Sequence, residues 1–141
     1  MSVDPYDEER ILAADTVIRK ISSQYIVENE NTGGKRLSSM AFQPSSAPNG
    51  GMSVDLEAQI VAAGLEPKEF IQSPNFVGAV AMSAGDVRVL NLRIGYDPLP
   101  ENPHHGEVWG NSRPNRFSDS QKKGLRRAAR WYTDVDGVEI L

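Results

Sequence analysis

Both histidines of this chain stand side by side in ENPHHGEVWGNSRPNR, residues 101 to 116, with a glutamate, a tryptophan and two arginines close behind. On an extended segment His105 and Glu107 share one face and His104 lies on the other. An imidazole beside a carboxylate can move protons near neutral pH. Arg113 and Arg116 could stabilise charge on a phosphate. That is the inventory of a small metal-free ribonuclease, and it makes His105 and Glu107 the catalytic candidates. A metal ion asks for three or four protein ligands, and His105, Glu107 and Asp97 are the available ones. The H-x-E half of the zinc deaminase signature is present, but its P-C-x-x-C half is absent from a chain with no cysteine. No metal is therefore assigned. The competing reading is a solvated edge strand whose polar residues do no chemistry.

These residues need elements to hold them. Residues 105 to 109 read as a strand after the Pro-rich loop 97 to 103. Upstream, Asp4-Pro5 with Asp7, Glu8 and Glu9 predicts a helix to about Ala14. DTVIRKI (15–21) reads as a β-branched strand, in competition with one helix over 5–22. A turn at 28–35 precedes a strand over 36–42 (RLSSMAF). Loop 44–51 leads to a short strand at 52–54, a helix at 56–63 and a helical turn at 67–72. Further strands are expected at 76–82 and 90–96, separated by a turn capped by Ser83. The clearest helix runs from Asp119 to about Tyr132, with Ser118 and Gln121 as a capping box. A last strand is expected at 138–141.

The 141 residues suit one domain. Twelve glycines and nine prolines demand many loops, and no apolar run approaches the roughly 20 residues of a membrane span. The acidic start is unlike a secretory signal, so the expected location is cytoplasmic. The formal charge of -4 weighs against general nucleic-acid affinity. Seven of the fifteen Lys and Arg nevertheless fall between Arg113 and Arg130. That basic helix either contacts phosphates or is a solvated face with the acidic N-terminus as its internal partner. Trp109 and Trp131 either stack on a base or line the core. NTGGKR (31–36) is no phosphate loop, because Asn29 stands where the first glycine belongs and Arg36 follows Lys35. No G-x-S-x-G elbow is present.

Several landmarks resemble a group of small bacterial proteins without an established activity. They are VIRKI (17–21), RLSSMAF (36–42), MSVD (52–55), VGAV (77–80), Asp97-Pro98 and NPHHG (102–106), spread over residues 16 to 110. Members of that group often carry His-Ala where this chain has His105-Gly106 or His104-His105, which leaves the register of the important histidine open. The resemblance points to a constellation of Arg19, Ser38, Ser39, Ser53 and one histidine. An early arginine followed by a serine-bearing strand is also similar to the layout of ADP-ribosyltransferase folds. There such groups hold NAD and a later glutamate, here Glu107, completes the site. The plain alternative makes Ser38 and Ser39 ordinary strand residues.

The sequence thus predicts a single α+β domain over residues 1–141, with a small mixed or antiparallel sheet and a basic C-terminal helix. It predicts a cleft for an anion, nucleotide or other phosphorylated ligand, lined by Arg19, Ser38, Ser53, His105 and Glu107, with Ser39, His104 and Arg113 close by. The expected role is that of a bacterial or phage accessory protein with no membrane partner. The alternatives are an enzyme (NAD-dependent transfer or metal-independent RNA cleavage) and an interaction module docking an acidic protein through Lys122, Arg126, Arg127 and Arg130. No cofactor is named.

Overall fold

The alternation in TVIRKI puts Val17 and Ile21 on one side and Ile18 on the other, and this segment forms the strand β1 (Thr16–Ile21). The computed structural model describes residues 4–45, 50–111 and 115–141. Around β1 it places β2 (Ile26–Glu28), β3 (Lys35–Leu37), β4 (Met52–Leu56), β5 (Gly78–Ser83), β6 (Arg93–Tyr96), β7 (His105–Trp109), β8 (Arg130–Thr133) and β9 (Val138–Glu139). Six strands make one antiparallel sheet in the order β6-β7-β4-β1-β5-β8. The other three make a small mixed sheet, with β2 antiparallel and β9 parallel to β3. The helices are α1 (Glu57–Ala62), α2 (Pro67–Phe70), α3 (Ala84–Arg88) and α4 (Asp119–Ala128). The class is α+β in one compact domain, as expected.

The large sheet buries both faces. On one, Val17, Ile21, Val54, Val80, Met82, Ile94 and Val108 pack with Leu37, Val87 and Leu125 from the small sheet, α3 and α4. On the other, Ile18 and Ala79 lie under Ile60 and Ile71, brought by α1 and the end of α2. Among the described residues no helix is long and apolar enough to cross a membrane.

Three expected elements differ. Residues 5 to 14 form no helix, because their polar groups have tertiary partners that override local propensity. Asp7 Oδ1 accepts from Ile94 N–H and from Arg88 Nε, the Glu8 N–H donates to the Ile94 carbonyl, and Glu8 pairs with Arg10. This segment straps the edge strand β6. The strand expected over 36–42 stops at Leu37, because the Ser38 hydroxyl accepts the Met40 N–H and caps a 3₁₀ turn. The C-terminal helix has its capping box but ends at Ala128. There the chain turns extended to pair with β5, Trp131 Nε1 donating to the Val138 carbonyl and Tyr132 Oη to Glu57 at 2.6 Å. Burial and this bond push the Tyr132 phenol above its ordinary value.

Under the strap, Gly95 of β6 lies beneath Tyr6 and Trp109, whose rings are 5.8 Å apart between centroids. A Cβ at 95 would meet Tyr6 and would stand 2.8 Å from Trp109 Cζ3. Gly95→Ala is expected to destabilise the fold by about 1–3 kcal/mol. Urea unfolding checks this, with a lower midpoint at an unchanged slope. Gly34→Ala, where the nearest atom is 3.5 Å away, is the control that should move little.

Candidate functional site

β1 and β4 pair only at Val17–Leu56 and Ile18–Asp55. Beyond those positions β1 follows β5 as far as Ile21–Gly78, while β4 follows β7 back to Met52–Val108. The sheet forks, and Arg19 sits in the fork. Its Nε donates to the Ala41 carbonyl at 3.1 Å and its Nη1 to the Ser53 carbonyl at 3.0 Å, with Ser45 Oγ at 3.5 Å. Arg19 is 7% exposed, and burial pushes its guanidinium below the ordinary value, with Asp55 and Glu107 among the groups acting the other way.

A cleft of ≈ 250 Å³ opens at the fork. Arg19 and Lys20 come from β1, Ser53 and Asp55 from β4, His105 from β7, and Glu101 and Asn102 from the connecting loop. Asp55 is 2% exposed; its Oδ1 accepts from Asn102 Nδ2 at 2.7 Å and its Oδ2 lies 3.7 Å from Lys20 Nζ. His105 Nδ1 lies 2.7 Å from the Asp97 carbonyl and 3.6 Å from its carboxylate. A proton on Nδ1 satisfies that carbonyl, and this tautomer leaves the lone pair on Nε2.

His105 and Glu107, expected on one face, are cross-strand neighbours of Asp55 and Ser53 in register. The histidine in the cleft wall is His105. His104 stands outside, edge-on to Phe70 at 5.2 Å between ring centroids. Arg19, Ser53 and His105 come together as expected. Glu107 lies behind the wall, 1% exposed, with Gly51 N–H donating to its Oε2. Position 51 admits no side chain, since a Cβ there would stand 2.8 Å from Glu107 Oε2 and 2.9 Å from Trp109 Cδ1. Ser38 and Ser39 do not line the cleft; Ser38 is the cap described above. Arg113 lies outside the described residues.

Lys122, Arg126, Arg127 and Arg130 lie on or just after α4, which packs on the opposite, apolar face through Leu125. Lys122 pairs with Asp119 at 3.8 Å, and among the described residues the other three form no ion pair. The acidic N-terminus, read as their internal partner, is engaged with Arg10 and Arg88 instead.

Sequence reasoning passed over Lys20, Asp55, Asn102 and Phe76 in the wall. Asp55 was findable, because it alternates with Ser53 on the same strand. Asp97, named only as a third metal ligand, proves to orient His105. Asp97, His105 and Glu107 each place one ligand atom within 4.8 Å of the others, a buried carboxylate–imidazole–carboxylate set of the kind that suits a first-row divalent cation.

Asp55 bridges the two arms of the fork, so its loss should be felt in stability. Asp55→Ala leaves Asn102 and Lys20 without their shared acceptor, and about 2 kcal/mol of destabilisation is expected for a hydrogen bond to a buried charged group. Glu101→Ala on the exposed rim should stay within about 0.5 kcal/mol of wild type. Parallel chemical denaturation of the two variants checks the contrast.

No family model, curated protein or solved structure matches this chain.

Proposed function

We propose that the fork cleft binds a small ligand through an anionic group, phosphate above all, held against Arg19 and Lys20. Arg19 is the observation that carries this reading. A buried charge is ordinarily paired with an opposite charge. Among the described residues this guanidinium bonds only carbonyl and hydroxyl oxygens, through Nε and Nη1, and Nη2 takes part in none of those bonds. Arg19 lines the cleft, and among the described residues its charge has no contact ion pair, so an anion entering the cleft can meet it in a bidentate or charge-assisted hydrogen bond. Lys20 adds a second cation, already shared with Asp55, and Asn102 and His105 add hydrogen-bonding groups. Asp55 and Glu101 make the rim mixed in charge, which suits a ligand that also offers donors and not a bare polyanion.

The bond from His105 Nδ1 to the Asp97 carbonyl favours a second reading, in which the cleft is an acid–base site. In that reading Nε2 takes a proton from the bound ligand or from water, Asp97 holds the ring, and Glu107 supports the same network from behind. The ADP-ribosyltransferase layout is not carried forward, because its serine, Ser38, is a turn cap away from the cleft.

Thermal melts with inorganic phosphate, sulfate and nucleoside monophosphates test the binding reading. A ligand at about a hundred times its Kd adds about 2.7 kcal/mol, which for a chain of this size raises Tm by several degrees. Lys20→Gln and Asn102→Ala should each weaken binding about tenfold. An absent shift with every anion, or the same shift in both variants, overturns it. If His105 acts as the acid–base group, His105→Gln abolishes turnover of an RNA phosphodiester while anion binding persists.

A further inference from the structure

A second and larger cavity, ≈ 480 Å³, adjoins the fork cleft. The two share one wall residue, Phe76. Lys20 Nζ, which lines the fork, stands 5.0 Å from the Phe76 ring centroid. The second cavity has apolar walls from Ile71, Phe76 and Val77, and Gln72, Ser73 and Thr133 at its border offer hydrogen bonds. Val77 lines this cavity and is 46% exposed, so a bound molecule can reach its side chain. The backbone here is fixed, since the Val77 N–H donates to the Ile21 carbonyl and so continues the β1–β5 pairing. Phe76 thus stands between a small compartment lined by charged side chains and a wider one whose lining carries no charge.

We infer that the two compartments form one bipartite site, whose ligand is a nucleoside monophosphate with its phosphate in the fork and its base against Phe76, Ile71 and Val77. The inference rests on the anion reading of the fork. The division of charge supports it: a compact anionic group fits beside Arg19 and Lys20, and a flat, uncharged heteroaromatic ring fits a cavity of apolar and neutral hydrogen-bonding side chains. Stacking on an aromatic ring tolerates any base, so recognition of a particular base falls to Gln72, Ser73 and Thr133.

Calorimetric titration with inorganic phosphate, ribose 5-phosphate, and AMP, GMP, CMP and UMP separates the two readings. The expected result is that at least one nucleotide binds about tenfold or more tighter than ribose 5-phosphate. Val77→Trp, which fills the apolar compartment from an exposed position, should bring the nucleotide down to the ribose 5-phosphate level and leave inorganic phosphate unchanged. Phe76→Leu, which keeps bulk and removes the ring, should act in the same direction and guards against a folding defect in the first variant. Nucleotides that bind wild type no better than ribose 5-phosphate overturn the bipartite site while leaving the fork intact. So does a nucleotide affinity untouched by both variants. If neither inorganic phosphate nor ribose 5-phosphate binds, the fork reading itself fails, and the bipartite site with it.

Discussion

A single guanidinium between two strands governs the centre of this molecule. By alternation Arg19 belongs to the apolar face of β1, between Val17 and Ile21. A charged group there must find hydrogen bonds or cost several kcal/mol. It finds them in the carbonyls of Ala41 and Ser53. The first belongs to the turn that follows β3 and the second to β4, so one side chain ties three segments of chain together. The β1–β4 ladder ends after two pairs, while the ladders on the outer sides of both strands continue. An apolar residue at 19 would have no need of those carbonyls and would give the strands no reason to part. The cleft lies where that ladder ends and Arg19 bonds across the gap to the Ser53 carbonyl.

A second polar group, on the opposite face, gives the cleft its chemistry. Asp55, Asp97, His105 and Glu107 are all buried, with exposures of 2%, 3%, 8% and 1%. Such a network is weak evidence of stability, because desolvation offsets most of what the pairings contribute. It is better evidence of fixed geometry, since each member restricts its neighbours' rotamers. Strand register does much of this work. Asp55 opposite His105 and Ser53 opposite Glu107 are antiparallel pairs with only Val54–Gly106 between them, so one frame sets four side chains at once. A slip of one residue would turn all of them to the apolar face.

The parts that were legible in the sequence are those in which local pattern and tertiary environment agree. β-Branched residues marked β1, a buried apolar run marked β5, and alternation marked β6 and put His105 with Glu107, because a half-buried strand writes its two faces directly into the chain. The capping box at Ser118 and the serine cap at Ser83 were legible because their hydrogen bonds are local. The N-terminal segment misled for the opposite reason. Asp7 and Glu8 carry a helix-start signature, yet their partners, Ile94 and Arg88, lie some 80 residues away and leave no local trace. The end of α4 misled likewise, since Ala129 to Tyr132 keep helical spacing while β5 offers Trp131 and Tyr132 a sheet edge. In the site, Arg19 and Ser53 were named from the resemblance to the small bacterial proteins. Lys20, Asn102 and Phe76 could not be named, because their place in the cleft depends on the fork, and the fork depends on which carbonyls Arg19 finds.

The strap across β6 connects the beginning of the chain to that chemistry. Tyr6 Oη accepts the Tyr96 N–H at 2.8 Å, and Arg10 stacks over the Tyr96 ring at 5.1 Å. The next residue is Asp97, whose carbonyl holds His105 and whose N–H donates back to the His105 carbonyl at 3.0 Å. Tyr6 also covers Trp109, which shares its face of β7 with His105 and Glu107. Acidic residues that look from the sequence like a free, solvated helix start therefore hold the outer edge of the sheet in place. The edge in turn fixes the turn that orients the histidine. This accounts for the polarised charge of the chain without pairing its two ends. Of the N-terminal acids, Glu8 pairs with Arg10 and Asp7 with Arg88, while α4 and its cations pack on the other face of the sheet through Leu125.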